Sequence, residues 1–167
     1  MSESRIEEVL ESERFLLEPI RVEHAAKLFE AMQPVDLYTY IPTSPPKSID
    51  SLSSKFERWE QRYSSDNNEI WLNYAIRHKI SKEYYGTLQV TIIRNKETYV
   101  AYEVFPKFWR MGVAKECLLV LILFLFQSFG CEKVTAHLDT NNIASLKLLE
   151  SLNFKKVGFL KDADFFD

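Results

Sequence analysis

One join constrains this chain more than any other feature. Thr98 to Phe105 is an extended apolar run, and Pro106 halts it because a proline has no N–H to give to a strand ladder. A short turn follows in which Gly112 frees the backbone, and Lys115 to Phe129 then continues as a long apolar helix. Gly130 ends that helix, as suits a left-handed C-terminal position. A strand that passes into a helix through a glycine turn leaves unpaired N–H groups at the positive end of the helix dipole. Such an end takes anions, phosphate above all, although an ordinary strand-to-helix turn gives the same pattern. With only Gly112 and Ala114 small, neither a dinucleotide fingerprint nor a Walker-type phosphate loop is present.

The flanking sequence supplies a sheet for this join. Arg14 to Ile20 reads as a first strand, and Val22 to Met32 as a helix stopped by Pro34. Asp36 to Pro46, rich in proline and tyrosine, reads as a loop. Ser48 is a plausible N-cap, with Ser51 at the capping-box position, for a helix carrying Ile49, Leu52, Phe56 and Trp59 at helical spacing, a stripe that suits core packing better than a binding face. Trp71 to Arg77, Tyr84 to Ile93 and Thr98 to Phe105 form three strands joined by short polar turns, the pattern of an antiparallel meander. Beyond the long helix come a strand over Lys133 to Asp139, a helix over Asn142 to Leu152 and the start of a last strand over Phe154 to Phe159. The fold class expected is therefore α/β: a mixed, mostly antiparallel sheet with helices, in a single domain over residues 1–167.

Composition narrows the function classes. A net charge of -3 carries no basic footprint for nucleic acid. Cys117 and Cys131 lack metal or redox spacing, and His24, His78 and His137 are scattered, so no metal site and no catalytic triad is expected. The first residues lack the order of a signal peptide, and Cys117 to Phe126 is too short to span a bilayer, which places the chain in the cytoplasm.

Taken in order, these residues resemble the GNAT acyltransferase superfamily, in particular the branch of ribosomal-protein N-terminal (alanine/serine) acetyltransferases. The resemblance runs from Glu13-Arg14-Phe15-Leu16-Leu17-Glu18-Pro19 onward and is strongest from Ala101 to Gly158. Of the family's acetyl-coenzyme A signature, Gly112 and Ala114 hold the last two fixed places, while Trp109 stands at the first. Glu116, Asn142 with Ser145, and Leu152-Asn153-Phe154 also fall at family spacing. The fold implied is three-layered, with the sheet splayed at its central strand and helices on both faces.

The activity implied is acetyl transfer from acetyl-coenzyme A to a primary amine, a protein N-terminus or a small molecule, by direct attack in a ternary complex. The resemblance implies that N–H groups of Met111, Gly112, Val113 and Ala114 hold the pyrophosphate. It further implies that Val104 and Phe105 pair with the pantetheine arm, with a backbone N–H near Phe105 polarising the thioester, and that Asn142 and Ser145 approach from the other side. Glu103 is the candidate base, although a strand carboxylate is more often solvated or paired. The family's general-acid tyrosine falls at Leu149, which donates no proton, leaving Ser145, then Tyr102, as substitutes. Arg110 stands where the family has glycine, either clamping a phosphate or crowding the turn. Tyr38, Tyr40 and Trp59 line an acceptor pocket or simply pack. Leu119 and Leu123 add an apolar outer stripe suited to a homodimer contact. The chain stops at Asp164-Phe165-Phe166-Asp167, short of the family's final strand, so either the chain is truncated or a neighbour covers the open edge. The alternative reading, resting on Leu149, Arg110 and that end, is a non-catalytic coenzyme A-binding or protein-interaction module.

Overall fold

The computed structural model describes residues 5–94 and 97–160. The turn expected at Asn95-Lys96 and the chain end from Asp164 to Asp167 lie outside the described residues.

Strands β1 (Leu10–Glu11), β2 (Phe15–Pro19), β3 (Glu69–Trp71), β4 (Tyr74–His78), β5 (Tyr84–Ile93), β6 (Thr98–Val104) and β7 (Val134–Thr135) form one sheet in the order β1-β2-β4-β5-β6-β7, with β3 pairing β5. Every pairing is antiparallel except β6 with β7. Four helices are interleaved: α1 (His24–Leu28), α2 (Ile49–Glu60), α3 (Val113–Phe129) and α4 (Ile143–Ser151).

Cross-strand partners share a face, and the register therefore sorts the side chains. Phe15, Leu17, Ile76, Leu88, Val90 and Val100 lie on one face and are all buried, as a core face requires. This face packs against α3, and the Thr98 hydroxyl donates to Cys131 Sγ just beyond that helix (3.3 Å). The opposite face carries a row, Glu18, Ala75, Thr87 and Glu103, that is polar on three of four successive strands. Helices α1 and α2 cover it: His24 packs edge-on against Tyr84 (5.6 Å between ring centroids), and the Tyr84 hydroxyl donates to Glu18 (3.2 Å).

A bulge between Ile76 and Arg77 on the β4–β5 ladder offsets Tyr85. The Tyr85 ring stacks on Phe108 (3.6 Å, 8°) and meets Phe15 edge-on, tying β5 to the turn that follows β6. Next to it, Gly86 lies so close to β6 that a Cβ there would stand 2.0 Å from the Glu103 carbonyl oxygen. Here the absence of a side chain sets the position of the central strand.

Several elements differ from expectation. The two-residue β1 precedes the first strand expected. The helix read over Val22 to Met32 is α1 plus a separate 3₁₀ turn at Glu30–Met32, and another 3₁₀ turn, Val35–Tyr38, lies within the proline-rich loop. The strand read over Trp71 to Arg77 is broken at Asn73, whose side-chain oxygen accepts from Val90 N–H (3.2 Å) while its carbonyl accepts from Ile20 N–H (2.8 Å). The strand read over Lys133 to Asp139 shrinks to Val134–Thr135, because Asp139 folds the chain into a turn, accepting from Asn141 N–H (2.7 Å) and Asn142 N–H (3.0 Å). Phe154 to Phe159 pairs with no strand among the described residues, and Val157 is exposed there. Ile49, counted in the core stripe, is also exposed, whereas Leu52 and Phe56 are buried.

Candidate active site

Ladder geometry first fixes which edge of β6 is open. The β6–β7 pairing consists of Thr98↔Val134 and Tyr99↔Thr135 and goes no further, so the rest of β6 has no strand partner on that side among the described residues. Phe105 N–H donates to the Tyr85 carbonyl on β5 (2.9 Å). Backbone groups alternate sides along a strand, so those of Val104 and Tyr102 face the splay while those of Phe105 and Glu103 face β5. Phe105's own N–H is therefore committed to the ladder, and the donor near it that is directed into the splay is Val104 N–H. The Val104 carbonyl already accepts from Trp109 Nε1 (2.6 Å). Trp109, read in the sequence as the first position of the signature, thus lies against the splay because an indole N–H needs an acceptor.

The turn after β6 forms a cradle. Gly112 caps α3 in the left-handed region (φ 73°), and Arg110 is left-handed as well (φ 60°). No side chain caps the helix, and the N–H groups from Met111 to Ala114 have no acceptor among the described residues. Two left-handed residues alternating with others turn successive N–H groups to one side, the geometry of an anion nest. Arg110 is exposed and unpaired among the described residues, so its charge adds to the dipole.

A cluster absent from the sequence reading holds this cradle in place. Arg14 donates from its guanidinium to the Met111 carbonyl (2.9 Å) and to Glu116 (2.7 Å), and from its backbone N–H to Glu116 (2.8 Å). Ser12 adds a third donor to that carboxylate (2.7 Å). Burial pushes the Glu116 carboxyl up, but the bonds from Arg14 and Ser12 outweigh it and hold the group below its ordinary value. Residues 102 to 104 positions apart meet here, so no local sequence signal marks the contact.

On the polar face, Glu103 projects into a cleft of about 180 Å³ whose walls include Tyr38, Ser44, Ser51 and Lys55. Its carboxyl accepts no hydrogen bond among the described residues, and burial raises its pKa, with Lys55 offsetting the rise in part. Tyr38 donates to the Met32 carbonyl (2.7 Å), and burial together with the charge of Glu103 pushes its phenol up to about 12. Tyr40 and Trp59 do not line this cleft.

Tyr102 and Ser145, offered from the sequence as alternative acids, are joined: the phenol donates to Ser145 Oγ (2.7 Å). Burial raises the Tyr102 pKa, and the bond to Ser145 opposes that rise. Asn142 caps α4, its side-chain oxygen accepting from Ser145 N–H (3.1 Å), so only its amide N–H groups remain to meet a ligand. Leu149 is buried. Asn153 is left-handed (φ 65°), the region in which asparagine is tolerated.

The residues thus offer an anion cradle, an open strand edge and a half-buried carboxyl along one strand-turn-helix unit. Among the described residues no group of three or more His, Cys, Asp and Glu is placed to hold a metal ion, and no helix is long and apolar enough to cross a membrane.

Comparison with known proteins places this arrangement. An N-acetyltransferase of Bacillus subtilis, YoaA, whose role is uncharacterised, is 25% identical over 92% of this chain and 86% of its own length. Among solved structures, the acetyl transferase of Salmonella typhimurium that modifies the N-terminal serine of a ribosomal subunit protein superposes with a TM-score of 0.82 at 17% identity, over 96% of this chain and 92% of that one. RimJ of Mycobacterium smegmatis, in complex with CoA-disulfide, gives a TM-score of 0.83 at 16% identity, over 96% and 82%. These two likenesses establish the fold alone. The description "Acetyltransferase (GNAT) domain" matches residues 14–155, from the arginine that braces the cradle to beyond α4, and the chain is accordingly an N-acetyltransferase belonging to the GNAT family.

Proposed function

We propose that this chain transfers the acetyl group of acetyl-coenzyme A to a primary amine by direct attack in a ternary complex. The observation that carries the reading is the end of β6, where one strand presents toward β7 an edge with no strand partner among the described residues, leads into the N–H cradle of residues 111–114, and has Glu103 lining a cleft. An extended amide-bearing arm pairs with such an edge as an added strand does, and a diphosphate suits the cradle.

The co-substrate supplies a thioester whose acetyl group ends as an amide. An alkylammonium does not attack, so the amine first loses a proton, and Glu103 is placed to take it. Its nitrogen then bonds to the acetyl carbon as the carbon–sulfur bond breaks and the sulfur leaves as thiolate; the surplus proton on that nitrogen is released to water, which leaves the neutral amide. Val104 N–H stands free to donate into the splay, and Ser145 Oγ, which accepts from Tyr102, retains its own proton for that sulfur. No covalent intermediate on the protein is required. The acceptor is a protein N-terminus, as for the Salmonella enzyme, or a small-molecule amine.

Titration calorimetry with acetyl-coenzyme A tests the cofactor site. Micromolar binding is expected, lost in Gly112→Trp, which both strains a left-handed backbone and covers the cradle. Because that variant is also strained in its fold, Arg110→Ala serves as a milder probe, expected to weaken binding several-fold. If the intact chain neither binds acetyl-coenzyme A nor releases thiol with any amine, the reading fails. Binding without thiol release points instead to a non-catalytic coenzyme A-binding module, which the buried Leu149 at the usual phenol position favours.

We further propose that a second copy packs on α3, where Leu119, Leu123 and Phe126 are 50%, 49% and 42% exposed. A sedimentation mass of one chain at high concentration refutes this.

A further inference from the structure

The cleft at Glu103 contains a second uncommitted charge. Lys55, on α2, lies over the Trp59 ring at 4.8 Å from its centroid, and Trp59 is itself stacked on buried Phe56. The aromatic face holds the lysine stem while its ammonium remains without an ion pair among the described residues, although Lys55 and Glu103 line the same cleft. Other polar groups in the wall are already committed: Tyr38 donates to Met32, and Ser51 exchanges hydrogen bonds with Ser48 in the cap of α2. Thr43 and Ser44 also line the cleft, and their hydroxyls have no hydrogen-bond partner among the described residues. The cleft therefore offers one carboxyl and one ammonium, not in contact with each other, within a volume of about 180 Å³. That is room for on the order of six water molecules, or an acceptor fragment of similar bulk.

A simple alkylammonium entering this space meets Glu103 favourably and Lys55 unfavourably. An acceptor that carries its own carboxylate close to the amine satisfies both charges. We propose that Lys55 is a specificity-determining residue and that the preferred acceptor is amino-acid-like, its amine directed to Glu103 and a nearby carboxylate to Lys55. This rests on the assignment of the Glu103 cleft as the acceptor site. The carboxylate comes either from a free amino acid or from an acidic side chain on the first residue of a peptide.

Thiol release is measured with matched acceptors: serine and aspartate against their amides, and amidated peptides beginning with aspartate against the same peptides beginning with asparagine. Each pair is run with wild type, Lys55→Met, Lys55→Arg and Lys55→Glu. In wild type, KM for the carboxylate member of one pair type is expected to be at least about tenfold lower than for its neutral partner, the size of one charge-assisted contact in a partly buried site. Preference in the free amino acids or in the peptides identifies the source of the carboxylate. Lys55→Met is expected to erase the preference through KM, with kcat changed less than about twofold, while Lys55→Arg keeps it and Lys55→Glu reverses it. Thiol release with no carboxylate preference, or a preference that survives in Lys55→Met, overturns the inference and leaves the transferase standing. An upward shift of the acidic limb in Lys55→Met, equal for both members of a pair, follows from loss of the Lys55 charge near Glu103; that shift with the carboxylate preference intact overturns the inference, since Lys55 then acts only on Glu103. Absence of thiol release from every amine overturns both this inference and the transferase reading.

Discussion

Gly86→Ala is expected to disable transfer without dismantling the fold. A methyl group at this position stands 2.0 Å from the Glu103 carbonyl oxygen and 3.0 Å from the Val104 Cα, both backbone atoms that cannot rotate away. Ordinary contact begins at about 3.5 Å, so β5 and β6 must part locally by about 1.5 Å. The separation falls on the pairs Gly86↔Val104 and Thr87↔Glu103, which position the candidate base and the free N–H of Val104. A displacement of about 1 Å at a reacting centre costs on the order of a hundredfold in rate, and overpacking of this kind costs about 1–3 kcal/mol of stability. Thiol release on the best amine is therefore expected to fall about a hundredfold in kcat/KM, while denaturant unfolding shows a cooperative transition at a lower midpoint. The cradle lies beyond the affected pairs, so acetyl-coenzyme A affinity by calorimetry is expected to change little by comparison. If Gly86→Ala unfolds like wild type and keeps kcat/KM within about threefold, the strand register does not set the site and the reasoning fails.

Two further predictions follow from charge. Burial raises the Glu103 pKa above the ordinary 4.5, so the acidic limb of kcat/KM is expected above that value and is lost with most of the activity in Glu103→Gln. A carboxyl raised on folding contributes stability at low pH that disappears as pH rises through the folded pKa; Glu103→Gln should therefore melt higher than wild type at neutral pH, and a lower midpoint contradicts the assignment. Glu116 has the opposite sign: its pKa is held below 4.5, so its contribution is present above that value and lost as pH falls through the folded pKa. Glu116→Gln should cost about 1–3 kcal/mol at neutral pH, discounted for the partial exposure of Arg14, with the deficit vanishing in acid; a pH-independent difference contradicts it.

What the sequence made legible was local chemistry. Pro106, Gly112 and Gly130 punctuate β6, the turn and α3, and Ser48 with Ser51 forms a cap that acts within a few residues; the cap formed by Asn142 with Ser145 was not read there. Gly86 also carried a readable signal, since an isolated glycine inside a strand pattern marks a bulge or close approach. The bracing of the cradle by Ser12, Arg14 and Glu116 was hidden, because those residues meet only once the sheet forms. The same holds for Lys55 and Glu103, which share a cleft only when α2 lies on the sheet. Strand lengths were overread wherever a polar side chain competed for the backbone, at Asn73 and Asp139.

The position of Glu116 contains a conflict that Arg14 resolves. A carboxylate in the first turn of α3 favours the helix, because it faces the positive end of the dipole. It opposes an anionic ligand for the same reason, since it cancels the field that attracts phosphate. Arg14 neutralises that charge while a second guanidinium nitrogen donates to the Met111 carbonyl, so that acceptor is tied back and the N–H groups remain outward. The Arg110 charge is then left uncancelled at the cradle. A left-handed conformation at a residue other than glycine costs about 1–2 kcal/mol. At Arg110 that strain accompanies a backbone turn whose N–H groups have no partner within the described chain, a combination best accounted for by a ligand that both needs the turn and matches its charge.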